Sequence, residues 1–137
     1  MHVTLTRTHG AQYLGANEAG RTIALSGAPD IGPSDAGVRP MEAVLLGLAS
    51  CSAVDVQLIL QKGRHTLTDL AVRVDAERAD AVPAVFTKIH LHFEAAGDFP
   101  AAKLERAVAL SHEKYCSVAR MLEPDVHITT SCAKRDG

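Results

Sequence analysis

The sequence predicts an α+β domain, on three observations. Several short runs alternate apolar and polar residues, the period of a half-buried strand. One long run, Met41 to Gly63, repeats its apolar residues every three or four positions, the period of a helix. The order is strands, helix, strands, helices, strand, with no regular strand–helix alternation, so pairing should be mostly antiparallel.

The elements follow in chain order. From His2 to Thr8, Val3 and Leu5 alternate with polar residues; Gln12–Leu14 and Arg21–Ser26 flank a turn at Asn17-Glu18-Ala19-Gly20. These segments read as an N-terminal antiparallel meander. Gly27 to Pro40 is rich in Gly and Pro and reads as an exposed loop. Pro40 can then start a helix that Gly63 ends. Its apolar positions are Met41, Val44, Leu45, Leu48, Leu58 and Ile59, with Ala, Gly, Leu and Val on the other faces. A helix apolar nearly all round is expected to be buried, at the centre of the domain or of a dimer. Leu70–Asp75 and Val85–Glu94 read as strands, the latter with Val85, Thr87, Ile89, Leu91 and Phe93 on its inner face. Pro100 opens a second helix to about His112, Tyr115-Cys116 interrupts it, and Ser117–Leu122 forms a third. Val126–Thr130 closes the chain as a strand.

A chain of 137 residues and 14.5 kDa is expected to be one domain, 1–137. It divides into an N-terminal meander and loop, 1–39, and the remainder, 40–137. At this length folding buries about 68% of the unfolded chain's surface, enough to dispense with a metal or disulfide. Fourteen basic against sixteen acidic residues give a net charge of −2, without the basic excess of a nucleic-acid binder. Trp is absent and 22 residues are Ala, so the core should be aliphatic and closely spaced. The N-terminus lacks the pattern of a secretory signal. The uncharged run Ala43–Val54 falls short of the roughly 20 residues that span a bilayer. A cytoplasmic protein with reduced cysteines and no membrane partner is expected.

Chemistry centres on the three cysteines. Cys51 lies mid-helix in Gly47-Leu48-Ala49-Ser50-Cys51-Ser52-Ala53-Val54-Asp55. A lone Cys in such a helix usually packs as a small hydrophobe. Yet Glu42, Ser52 and Asp55 put polar groups on the same helix, where unpaired burial is costly. Cys116 sits where Ser117 would start a helix, and amide groups there can lower a thiol pKa; simple packing explains it equally well. Cys132, in the polar tail Ser131–Arg135, reads as exposed and incidental. His90 with His92, or His112 with Cys116, has the spacing of a metal pair. No Cys-x-x-Cys, His-Glu-x-x-His or acidic cluster completes either, so a solvated strand face is the simpler account of the histidines, and no metal or cofactor is expected. Phosphate-loop glycines and a Gly-x-Ser-x-Gly elbow are missing too.

Pro40-Met41-Glu42, the small-and-apolar helix to Cys51-Ser52-Ala53-Val54-Asp55-Val56, and Lys114-Tyr115-Cys116-Ser117-Val118 together resemble the OsmC/Ohr superfamily. These are the osmotically inducible and organic hydroperoxide resistance proteins, and the nearer likeness is to the OsmC-like, YhfA-type branch. The resemblance covers nearly the whole chain. It implies an intertwined homodimer in which antiparallel sheets wrap around central Cys-bearing helices, with two active sites at the interface. It also implies thiol-dependent reduction of organic hydroperoxides. Cys51 would be the peroxidatic thiol, Cys116 the resolving thiol, and Glu42 the residue that orients an activating arginine. A dithiol, lipoamide-like or a small thiol, would reopen the disulfide. The family usually draws that arginine from the N-terminal strands; here Gln12 stands near its place, and Arg7, Arg21 and Arg39 are the alternatives.

Two other readings stay open. One is an OsmC-like dimer without peroxidase chemistry that binds a small apolar or thiol-bearing ligand in the interface pocket. The other is a structural dimer with inert, buried cysteines.

Overall fold

The computed structural model describes residues 1–34 and 36–136, and among these described residues are six strands, three helices and two short helical turns. Strands β1 (Val3–His9), β2 (Gln12–Asn17) and β3 (Thr22–Ser26) form the expected antiparallel meander, in the order β1-β2-β3. The turn at 17–20 is closed by the Asn17 side chain, whose Oδ1 accepts the Ala19 and Arg21 N–H groups at 3.0 and 2.9 Å. Glycine at position 20, with φ +77°, supplies the left-handed residue that this turn requires.

The Gly- and Pro-rich segment is not a free loop, although Asp35 within it lies outside the described residues. Ser26 N–H donates to Val38 O at 2.9 Å and Val38 N–H to Ala24 O at 3.2 Å, so the segment returns along β3 as a short parallel bridge. Gly37 permits this approach: a Cβ there would lie 2.6 Å from the Ala24 carbonyl.

Helix α1 spans Pro40–Lys62, 23 residues. Its N-terminus is half of a capping box, since Glu42 Oε1 accepts the Arg39 N–H at 2.8 Å. At the other end His65 N–H reaches Leu60 O at 3.0 Å and Arg64 N–H reaches Gln61 O at 3.0 Å, a Schellman closure. The left-handed residue in it is Arg64 (φ 63°) and not Gly63, the glycine expected to end the helix. The expectation of a helix buried all round fails within the chain. Leu48, Ser52, Val56 and Leu60 form one buried stripe at four-residue spacing, while Val44, Leu46, Val54 and Leu58 are 38–61% exposed. By length and composition α1 is also sufficient to cross a membrane, which the shorter uncharged run did not anticipate.

Two compact units result, Met1–Leu46 and Gly47–Gly137, with the boundary inside α1. The second carries the larger sheet. Strands β4 (Thr66–Arg78) and β5 (Phe86–Asp98) pair antiparallel over 13 residues each, well beyond the segments expected. The chain then runs through α2 (Ala101–Leu110), a π-helical turn (Ser111–Tyr115) and α3 (Ser117–Leu122). It returns as β6 (His127–Arg135), parallel to β5, so the sheet order is β4-β5-β6. Mostly antiparallel pairing was expected and three of the four strand pairs follow it; the helical crossover allows the one parallel edge pair.

Ile89, Leu91 and Phe93 point inward as predicted, each 1% exposed. Val85 does not. A bulge at Thr87 on β5, opposite the Glu77–Arg78 step of β4, leaves Thr87 without a partner in the register, with Phe86 turned inward and Val85 52% exposed. Leu104, Ala107, Val108 and Ser111 form the inward stripe of α2 and the turn that follows it.

Candidate thiol site

Three side chains from α1 and one residue before α3 meet in the second unit. Cys51 and Asp55 stand one helical turn apart on α1, hence on one face. The π-helical turn matters for the fourth residue. Its extra residue closes with a Cys116 N–H to Ser111 O bond of 2.8 Å and delivers Cys116 to the start of α3. The sulfurs of Cys51 and Cys116 and a carboxylate oxygen of Asp55 all lie within 4.8 Å of one another. Both thiols are free.

Cys116 is 3% exposed and caps α3, its Sγ accepting the Ala119 N–H at 3.4 Å. The Ser52 hydroxyl donates to the same sulfur at 3.3 Å. Burial pushes the Cys116 thiol above its ordinary pKa; the Ser52 and Ala119 donors pull it down, and the neighbouring Cys51 pushes it up again. None of these groups is a cation. Cys51 is half-buried. Ser111, 1% exposed, donates to Asp55 Oδ2 at 3.1 Å and also approaches Ser52 O at 3.4 Å, so it ties the carboxylate to the helix backbone.

Beside this cluster a cavity of about 270 Å³ is lined by Asp55, Leu58, Ile59, Lys62, Leu110 and Tyr115. Its walls are apolar apart from the Asp55 carboxylate, the Lys62 ammonium and the Tyr115 hydroxyl. That suits a small organic molecule with one polar end.

The remaining predicted residues sit elsewhere. Glu42 is bonded to the Arg39 backbone, and two and a half turns of helix separate it from Cys51, which places the two on opposite sides of α1. Gln12 is buried in the first unit with Ser26, whose hydroxyl donates to Gln12 Oε1. Arg7, Arg21 and Arg39 are all exposed, and Arg7 Nε donates to Gly10 O at 2.8 Å. Cys132 is not in a tail but half-buried in β6, opposite Phe93; burial and the Glu105 carboxylate raise its pKa.

Neither histidine pair forms a metal site with its neighbours. His90 is hydrogen-bonded to Thr129 and Ser131, at 2.6 and 2.8 Å, and His92 to Ser131 at 2.7 Å, across the β5–β6 register. His112 Nε2 faces Glu123 Oε1 at 3.6 Å. Among the described residues the grouping able to hold a metal is Cys51, Asp55 and Cys116. Sequence reasoning missed Ser111 and gave Ser52 and Asp55 no role. Asp55 was traceable by its one-turn spacing from Cys51; Ser111 was not, because only the π-helical turn brings it under α1.

A family model described as OsmC-like protein matches residues 32–131, the segment that contains both cysteines. The chain belongs to the OsmC family. Protein YhfA of Escherichia coli K12 is 43% identical over 132 residues, 96% of each chain. A hypothetical protein from Aquifex aeolicus VF5 has a solved structure with TM-score 0.85 and 31% identity, over 99% of this chain and 96% of that one. An organic hydroperoxide resistance protein OsmC from Legionella pneumophila, at TM-score 0.70 and 16% identity over 97% of each chain, shares the fold. The α+β architecture of this chain is thus that of OsmC-like proteins, with one parallel strand pair included.

Proposed function

We propose that this OsmC-like chain is a thiol peroxidase for organic hydroperoxides, a homodimer serving the oxidative stress response in the cytoplasm. The observation that carries the reading is the approach of the Cys51 and Cys116 sulfurs to within 4.8 Å. A disulfide needs about 2.05 Å, a gap that side-chain rotation and a small helix shift can close. The Cys51 thiolate attacks the distal oxygen of the hydroperoxide and the O–O bond breaks. The alkoxide leaves and takes a proton as the alcohol, and the sulfur becomes a sulfenic acid. The Cys116 thiol then attacks that sulfur, releases water and forms the disulfide, which a dithiol reopens by exchange. No metal or cofactor takes part. Ser52 and the Ala119 N–H support negative charge on Cys116 as it becomes the attacking group.

The apolar walls contributed by Leu58, Ile59 and Leu110 favour an organic hydroperoxide over hydrogen peroxide. The dimer is supported by the exposed apolar side of α1, and the reading as one domain by a relative that matches 96% of this chain, across both compact units. Stoichiometric cumene hydroperoxide should remove two thiols per chain and leave an intrachain disulfide, and Cys51→Ser should abolish peroxide consumption. Equal background consumption by wild type and Cys51→Ser would refute the reading. Peroxide reduction in this reading calls for a cation beside the peroxidatic thiol, since a neighbouring positive charge favours the thiolate. Among Arg7, Arg21 and Arg39, its source is the one whose change to Met raises the pH midpoint of Cys51 alkylation.

One observation favours the alternative, an OsmC-like dimer that binds a small apolar or thiol-bearing ligand without turnover. The charged group that shares the cluster with both thiols is the Asp55 carboxylate, and no cation is among its three members. That reading predicts thiols that survive peroxide and a melting temperature that rises with the ligand.

A further inference from the structure

Two thiols and a carboxylate on one face are also the donor set of a thiophilic metal. We propose that the reduced chain binds one Zn²⁺ through Cys51 Sγ, Asp55 and Cys116 Sγ, with the fourth position open to solvent, and that zinc and the Cys51–Cys116 disulfide exclude one another. The inference uses the same thiols as the proposed peroxidase but needs no peroxide chemistry.

Distances come first. Zinc binds sulfur at about 2.3 Å, so two thiolates on one tetrahedral ion stand about 3.8 Å apart. The three donor atoms, already within 4.8 Å of one another, need contract by no more than about 1 Å. The ligands also come from regular elements of the fold. Cys51 and Asp55 share a turn of a 23-residue helix, and Cys116 is fixed as the cap of α3.

The surroundings of the donors resemble the outer shell of a metal site. Cys116 Sγ already accepts from the Ser52 hydroxyl and the Ala119 N–H, bonds that stabilise a metal-bound thiolate. Asp55 Oδ2 is held by the buried Ser111 hydroxyl, which orients the carboxylate. Cys51 and Asp55 are half-buried, and Asp55 also lines the adjoining cavity. The chemistry of the donors selects the ion: two soft sulfurs favour zinc, or cobalt as its spectroscopic substitute, over magnesium or calcium. Three protein ligands leave room for water or for a thiol in the fourth position.

Binding releases the two thiol protons and leaves both sulfurs unavailable to a hydroperoxide. Oxidation of the pair takes away two of the three ligands. The metal therefore protects reduced thiols and is released when they are oxidised.

The test titrates the full-length reduced protein with Co²⁺ and with Zn²⁺ against a chromophoric chelator, without oxygen. One equivalent should bind, with thiolate-to-cobalt charge-transfer bands. Cys51→Ser and Cys116→Ser should abolish those bands, Ser111→Ala should weaken binding about tenfold, and Cys132→Ser should leave it unchanged. Wild type supplies a check that does not depend on variants folding: bound Zn²⁺ should slow alkylation of Cys51 by N-ethylmaleimide at least tenfold while Cys132 reacts at its metal-free rate. Absence of stoichiometric uptake, bands that survive both cysteine changes, or equal Cys51 alkylation with and without zinc would overturn the proposal. A chain that binds zinc but leaves cumene hydroperoxide unreduced would refute the peroxidase and retain the metal site.

Discussion

The two sheets carry the same alternating pattern and meet different fates. In the second unit Ile89, Leu91 and Phe93 are 1% exposed, buried within the chain itself. In the first unit Val3, Leu5 and Ile23, which the register places on one face, are 73%, 61% and 46% exposed. Alternation thus specifies which residues can face a core, and not whether the chain itself supplies one. Three strands with an apolar face need something packed on that face. A second copy of the chain is the cover proposed above.

The largest expected difference lies in core truncation. Phe93→Ala should cost about 3–5 kcal/mol in urea unfolding, because it opens a cavity in a filled interior. Leu5→Ser in β1 should cost a small fraction of that in dilute protein. An equal loss at both positions would mean that β1 is covered within one chain.

Next comes association. Leu5→Glu or Val54→Glu should weaken the proposed dimer at least tenfold, read by sedimentation, since each places a charge where apolar contact is required. If the wild type sediments as a monomer at all concentrations, the exposed faces need another explanation.

Smaller effects separate the ends of α1. Glu42→Ala removes the side-chain half of the capping box and should cost about 0.5–1 kcal/mol. Glu42→Gln, which can still accept from the Arg39 N–H, should recover most of it. If instead Glu42→Gln abolishes peroxide reduction with stability intact, the carboxylate acts on an arginine, as the family resemblance implies.

The smallest effect is on pH dependence. Cys116 and Cys132 have folded-state pKa values raised above the ordinary thiol value of 9.0, so folding favours their protonated forms. Their contribution to stability is fully present below that pH and is lost as pH rises through the folded values. Cys116→Ser should flatten the alkaline limb of the stability profile. An unchanged limb would assign the shift to Cys132 alone.

Much of this was legible in the residues. Pro40 with Glu42 marks the start of α1, Leu104, Ala107 and Val108 mark the inner face of α2, and the family resemblance singles out Cys51 and Cys116, whose sulfurs the fold brings near one another. The misses share a cause. Val85 and Phe86 exchanged faces because of one bulge, and bulges leave the apolar pattern unchanged. Cys132 read as tail because Ala133 and Lys134 are polar or small, yet β6 continues through them as an edge strand. Ser111 read as the end of a helix, while the π-helical turn made it the anchor of Asp55.

By itself the sequence determined the element types and their order, because periodicity and caps are local properties; the pairing of Cys51 with Cys116 came from the family resemblance. Only the tertiary structure decided that Asp55 and Ser111 join the thiols, that β6 runs parallel to β5, and that the apolar side of α1 stays open within one chain. Each of those depends on which distant surfaces meet, and a sequence records the surfaces without recording the meeting.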